Sequence, residues 1–210
     1  MTDFPPGFFD RADDGDDGGF YGPPRLVQHI DDGAIAAVGA FYDEIGVDGD
    51  VLDLMSSWVS HLHTRPRHLT VLGMNAAELD ANPMADERVV RDLNTDPALP
   101  FPDAAFDTVV CTVSIDYLVR PVAVCAEVGR VLRPGGTFAL TFSNRCFPTK
   151  AIRGWLAADD GQRAAIVATY LRDAGTFDEP VAQRRASSDD PVIAVHARRS
   201  WRPGRPARSA

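Results

Sequence analysis

Residues 106–142 read FDTVVCTVSIDYLVRPVAVCAEVGRVLRPGGTFALTF. Phe106 to Val113 is the strongest strand signal in the chain, an apolar run rich in β-branched residues. Pro121 to Leu132 then carries apolar residues at helical spacing, and Arg133-Pro134-Gly135-Gly136 supplies a helix stop. Thr137 to Phe142 resumes as strand. Strand, helix and strand with apolar strand runs is the pattern of a parallel sheet covered on both faces.

The same alternation continues outward. Upstream, Ile35, Val38, Phe41, Tyr42 and Ile45 recur at helical spacing over Ala34 to Ile45, and Gly46 stops the helix. Asp50 to Leu54 is a short apolar strand, His68 to Gly73 a second, and Ala76 to Leu79 begins a short helix. Downstream, Ile152 to Leu171 reads as one helix and Pro191 to Ala197 as a last strand. The expectation is an α/β fold with a doubly wound, mostly parallel sheet and helices on both faces.

Hydrophobic residues form 45% and charged residues 24% of the 210, ordinary for one globular domain. The net charge of -9 repels phosphate backbones and anionic lipids, so nucleic acid and membrane are not expected partners. No run approaches the roughly 18 apolar residues of a membrane span. The three cysteines, Cys111, Cys125 and Cys146, lie far apart and match no metal-ligand spacing, as free thiols of a cytoplasmic protein would. Residues 1–24, rich in Asp, Gly and Pro, read as a flexible acidic leader; the alternative is an arm that closes over the site through Phe4, Phe8, Phe9, Phe20 and Tyr21. The folded domain spans 25–198, and 199–210 reads as a disordered basic tail.

In an open parallel sheet, ligands sit beyond the carboxyl ends of the strands. Those ends fall at Asp53, Gly73, Val113 and Phe142. The segment from Asp92 to Leu118, DLNTDPALPFPDAAFDTVVCTVSIDYL, and the segment EVGRVLRPGG from Glu127 to Gly136 resemble the class I S-adenosylmethionine-dependent methyltransferases, in the type 11 branch. The resemblance runs from about residue 34 to 198 and implies a Rossmann-like, seven-stranded sheet with S-adenosylmethionine as cofactor. It places Asp53 at the methionine end of the cofactor, Asn75 at the ribose hydroxyls, and Asp92 near the adenine amino group with the Leu93 backbone beside the ring. Cys111 to Tyr117, which includes Ser114, would border cofactor and substrate.

Two departures stand out. The family's glycine-rich DxGxGxG pattern falls on Asp53, Met55, Ser57 and Val59, so the DLMSSW loop has no glycine, and it resembles a divergent subgroup. Glycines permit positive φ and close backbone approach; here Ser56 and Ser57 offer hydroxyls instead, and a helix starting near Ser57 would aim N–H groups at a carboxylate. The ribose position carries Asn75 where the family has an acid, which keeps an acceptor and gains two donors.

Trp58 either stacks on the cofactor or packs the loop against the sheet. His61 approaches the site if its segment is helical. His61, His63 and His68 show no recognisable metal-ligand spacing, so no metal is expected. Asp116 and Tyr117, after the fourth strand, are placed to orient or deprotonate an acceptor; their structural alternatives are a loop cap and a packing residue. Asn144 and Arg145 follow the fifth strand and face the substrate side, Arg145 either clamping an anionic group or making a surface ion pair.

Two functions follow: methyl transfer to an unidentified small molecule, or a non-methylating binding or regulatory protein that retains the fold. A different reaction in the same pocket is a third.

Overall fold

A computed structural model describes residues 2–185 and 189–201. Seven strands form one sheet in the order β3-β2-β1-β4-β5-β7-β6. They are β1 (Asp50–Leu54), β2 (His68–Gly73), β3 (Glu87–Val90), β4 (Phe106–Thr112), β5 (Leu132–Phe142), β6 (Val181–Arg185) and β7 (Val192–Arg198). β1 to β5 pair in parallel, while β7 runs antiparallel between β5 and β6. The strand order therefore reverses direction between β1 and β4, which opens a crevice at their carboxyl ends.

The helices are α1 (Asp17–Tyr21), α2 (Asp32–Glu44), α3 (Ala76–Asp80), α4 (Pro121–Val131), α5 (Arg153–Leu156) and α6 (Asp160–Ala174). Asp31 caps α2 through a 2.7 Å bond from the Ala34 N–H. Ala34, Val38, Phe41 and Tyr42 of α2 pack with Leu79 of α3 against one sheet face. α4 and α6 cover the other face, where Val124, Val128, Val167 and Leu171 meet Phe138, Leu140 and Val195. The expected α/β fold, Rossmann-like and mostly parallel with helices on both faces, is thus the observed one.

Four details differ from the sequence reading. β3 and β6 carry charged, exposed positions and no apolar run, because sheet edges do not need burial on both faces. The expected single helix from Ile152 to Leu171 is broken at Asp159, which starts α6 with a capping box to Gln162. Arg133 to Gly136 belongs to β5, with a register shift opposite Phe106 and Thr108. Gly136 is required there, since a Cβ would lie 2.7 Å from the Asp107 carbonyl.

The fourth is a correction to the domain boundaries. Residues 2–24 lie against the domain instead of forming a flexible leader. Phe4, Phe8 and Phe9 pack on the α4/α6 face, with the Phe4 ring 5.7 Å from that of Tyr170. Beyond them, Arg11 holds both oxygens of Asp17 at 2.9 and 2.8 Å, and the ammonium of Lys150 lies 3.0 Å from Asp17 and 3.0 Å from Asp13. Lys150, the chain's single lysine, is fully buried in this cluster. Arg199 also belongs to the fold, exchanging backbone bonds with Gly135 and Gly136; the rest of the expected basic tail, 202–210, lies outside the described residues. No helix among the described residues is long and apolar enough to cross a membrane.

Candidate functional site

A cavity of about 470 Å³ opens where β1, β2 and β4 end. Its floor is formed by the carboxyl ends of these strands, and its roof is built from α1 and residues 25–30. It lies at the switch point that the topology selects and is large enough for a cofactor-sized ligand.

Asp53 ends β1 on the cavity wall, 2% exposed. Its carboxylate accepts a 2.7 Å bond from Ser56 Oγ. Burial pushes its carboxyl up to about 7, with the hydroxyls of Ser56 and Ser60 pulling the other way. The chain then turns through Met55 at φ 57°, a left-handed conformation at a position where the resembling family has glycine. The methionine thus adopts the left-handed conformation that glycine favours.

No helix follows. Residues 55–67 are irregular, so the expected helix start near Ser57 does not form. The Ser56 N–H bonds the Leu72 carbonyl at 2.7 Å, and the Ser56 carbonyl lies 2.2 Å from where a Cβ on Gly73 would stand. This close approach is what Gly73 permits. Ser57 Oγ donates to Glu78 Oε2 at 2.6 Å, and the amide of Asn82 holds Ser57 O and Ser60 Oγ at 3.2 and 2.8 Å. The N–H groups of Ser57, Trp58 and Val59, all on the cavity wall, have no hydrogen-bond acceptor among the described residues. Trp58 lines the cavity while its indole N–H donates to the Val27 carbonyl of the roof at 3.2 Å.

After β2, Asn75 lines the cavity and is engaged by the protein itself. Its carbonyl caps α3 through the Glu78 N–H at 3.1 Å, and its amide donates to the carbonyls of Tyr21 and Gly22 at 2.9 and 2.8 Å. Both amide hydrogens thus hold the leader. Glu78, not singled out from the sequence, completes the clasp by accepting the Arg25 N–H at 2.6 Å. Asp92 lines the cavity with Leu93, and its carboxylate caps the next turn, accepting from the N–H groups of Asn94 and Thr95 at 2.8 and 3.2 Å and from Thr95 Oγ1 at 2.6 Å.

At the end of β4, Ser114 and Tyr117 face the cavity but Asp116 does not. Asp116 is 3% exposed behind the wall; one oxygen has no hydrogen-bond partner, and burial pushes its carboxyl up to about 7. The candidate acid–base pair is therefore split. The Tyr117 hydroxyl accepts the Phe147 N–H at 2.9 Å, and burial holds the phenol protonated well beyond its usual range. Tyr117 acts as a strut between two cavity walls. Asn144 and Arg145 line the opening, and Arg145 is mostly exposed with Asp190 at 3.7 Å.

Two histidines join the wall from different directions, His29 from the roof and His61 from the β1 loop. Burial lowers the pKa of both, to about 4 for His61, so both are neutral at pH 7. His63 pairs with Asp43 at 2.8 Å and His68 starts β2 at the end remote from the cavity. Among the described residues no three His, Cys, Asp or Glu side chains are placed to hold a metal ion. Cys111, Cys125 and Cys146 are free.

Residues 55–140 match the family model described as a methyltransferase domain. No curated protein matches the chain by sequence. Among solved structures, the complex between the Haloferax volcanii Trm112 methyltransferase activator and a putative methyltransferase aligns at TM-score 0.62 and 14% identity, covering 83% of this chain and 92% of that one. The [4+2]-cyclase SpnF aligns at TM-score 0.60 and 16% identity, with 85% and 89% covered. Geranyl diphosphate C-methyltransferase from Streptomyces coelicolor A3(2), solved with Mg2+, geranyl diphosphate and S-adenosyl-L-homocysteine, aligns at TM-score 0.52 and 16% identity, with 78% and 77% covered. At such identities the likeness is one of fold.

Proposed function

Because this chain carries a class I methyltransferase domain of the type 11 branch, we propose that it transfers a methyl group from S-adenosylmethionine to a small molecule. The observation that carries the reading is the cavity at the ends of β1, β2 and β4, with the buried Asp53 and the unpaired N–H groups of Ser57, Trp58 and Val59 on one wall. These residues fit an amino-acid end that bears both charges: Asp53 faces an ammonium, and the N–H cluster faces a carboxylate. Asp92 and Leu93 border the adenine end and Ser114 the sulfonium end, with Trp58 offering an aromatic face to a cation. Bound there, S-adenosylmethionine supplies an electrophilic methyl on sulfur.

The protein's own contribution is alignment and exclusion of water. The roof formed by Tyr21 and residues 25–30 closes the cavity, and Asn75 with Glu78 fastens that roof to the β2 end. A site of this kind accelerates transfer by holding its reactants in line. The net charge of -9 supports a small-molecule acceptor over nucleic acid. A protein that binds ligand without methylating is the second reading, favoured only by the loss of the loop glycines; the left-handed Met55 weakens it, since the turn persists.

Ultraviolet cross-linking of methyl-labelled S-adenosylmethionine, followed by peptide mapping, tests the placement. Label in the peptides around 53–61 or 112–118, removed by excess S-adenosylhomocysteine, supports it. Label elsewhere, or none, overturns it.

A further inference from the structure

His61 is held in an uncommon state. Its φ is 52°, a left-handed conformation that is unfavourable for a non-glycine residue. Its Nδ1 is buried with no hydrogen-bond partner among the described residues. A buried imidazole nitrogen left unpaired is itself unfavourable. The strained backbone sets the His61 ring into the cavity wall with Nδ1 enclosed, the kind of uncommon state that recurs where a side chain serves a ligand.

His29 stands on the same cavity with no hydrogen bond among the described residues, its ring edge-on to Phe147 at 5.3 Å. Phe147 in turn lies 6.0 Å from Tyr117 and 6.5 Å from Tyr21, so this side of the cavity is aromatic. Its cations are engaged: Arg25 donates to the Phe20 carbonyl at 2.8 Å, Arg91 pairs with Asp96, and Arg145 with Asp190. A flat ring finds a matching wall here.

Resting on the methyl-transfer reading, we infer that His29 and His61 form a proton-accepting pair for an acceptor hydroxyl borne on an aromatic ring that lies against Phe147. An aromatic hydroxyl with a pKa near 10 is protonated at neutral pH and is a poor nucleophile in that form. In the step, the acceptor's O–H bond breaks and its proton passes to a histidine nitrogen. The freed oxygen pair forms the new bond to the methyl carbon as the carbon–sulfur pair returns to sulfur. A cationic donor becomes a neutral thioether, and a neutral imidazole becomes imidazolium.

The charged neighbours permit this. Glu78 favours protonation of His29, Arg25 opposes it, and His29 opposes a second positive charge on His61. One proton for the pair is thus the preferred occupancy. An aryloxide beside the ring favours the imidazolium.

4-Nitrophenol tests the pair without turnover, because its ionised form absorbs visible light. The full chain is titrated with it from pH 5 to 8, with and without S-adenosylhomocysteine. Bound nitrophenol should ionise about one pH unit below the free compound, a roughly tenfold higher ratio of nitrophenolate to nitrophenol at a given pH, the equivalent of one charge-assisted hydrogen bond. His61→Asn, which tolerates the left-handed backbone, and His29→Gln should each lose most of that shift while keeping the ring bound. Binding without a shift in the wild type, a shift that survives the double variant, or no nitrophenol binding overturns the inference. The wild-type shift needs no variant to fold. Calorimetric binding of S-adenosylhomocysteine in the same samples reports on the donor alone; its failure beside an intact nitrophenol shift removes the donor reading and leaves the base pair standing.

Discussion

Replacing Asp53 with asparagine isolates the cost of burying a carboxyl at the end of β1. The group is 2% exposed, has Ser56 Oγ at 2.7 Å, and has its carboxyl raised by burial from 3.8 to about 7. A carboxyl raised on folding holds its proton more tightly in the native than in the unfolded chain. Below pH 3.8 both states are protonated and the group is neutral to stability. Stability then falls as pH rises from 3.8 to about 7, and the penalty is complete above that. About three pKa units at 1.36 kcal/mol each give about 4 kcal/mol, an upper bound because relaxation and water entry soften it. Asparagine has nearly the same shape, still accepts from Ser56, and does not ionise. In urea unfolding followed by circular dichroism, the stability of Asp53→Asn relative to wild type should therefore improve by about 3 kcal/mol between pH 5 and pH 8. Parallel curves for the two proteins across that range would refute the assignment of a raised, buried carboxyl.

The remaining predictions concern the leader and the glycine-free loop. Lys150→Met removes one cation from the buried Asp17 and should destabilise the protein by about 3 kcal/mol in urea while exposing residues 2–24 to protease; adding Asp17→Asn should restore part of the loss. A leader equally resistant in Lys150→Met contradicts the latch. Gly73→Ala puts a Cβ 2.2 Å from the Ser56 carbonyl and should cost about 2 kcal/mol or more with loss of S-adenosylhomocysteine affinity. Normal melting and affinity in that variant would show the approach to be relaxed. Trp58→Ala should weaken S-adenosylhomocysteine binding by about 1 kcal/mol, since the ring faces the cavity. A lower melting temperature with unchanged affinity would make the ring a packing group alone.

The strands of the sheet interior were legible because burial on both faces leaves an apolar run, as in VLDL of β1 and FDTVVCT of β4. β3, ERVV, and β6, VAQRR, were hidden because an edge strand keeps charges on its open face. The cavity's position followed from the strand ends. The roles of its side chains did not, because they depend on partners distant in sequence. Asn75 gave no sign that Tyr21 and Gly22, more than fifty residues upstream, take its amide hydrogens. The leader's composition, poor in apolar groups, gave no sign that Asp13 and Asp17 meet Lys150 across more than 130 residues. Asp116 and Tyr117 are adjacent in sequence, yet the 3-10 turn at Ile115–Tyr117 sends one behind the wall and the other onto it. His61 would reach the site if its segment were helical; it lines the cavity from an irregular loop with a left-handed backbone instead, a conformation that the sequence does not announce.

On the proposed reading, a loop without glycine still forms a working S-adenosylmethionine site, with Met55 making its turn and the N–H groups of Ser57, Trp58 and Val59 serving as its donors. Calorimetric titration of the wild-type chain with S-adenosylmethionine and, separately, with S-adenosylhomocysteine tests it most directly. One site per chain with micromolar affinity is expected, equivalent to about -8 kcal/mol. Absence of heat or saturation at millimolar ligand would contradict it.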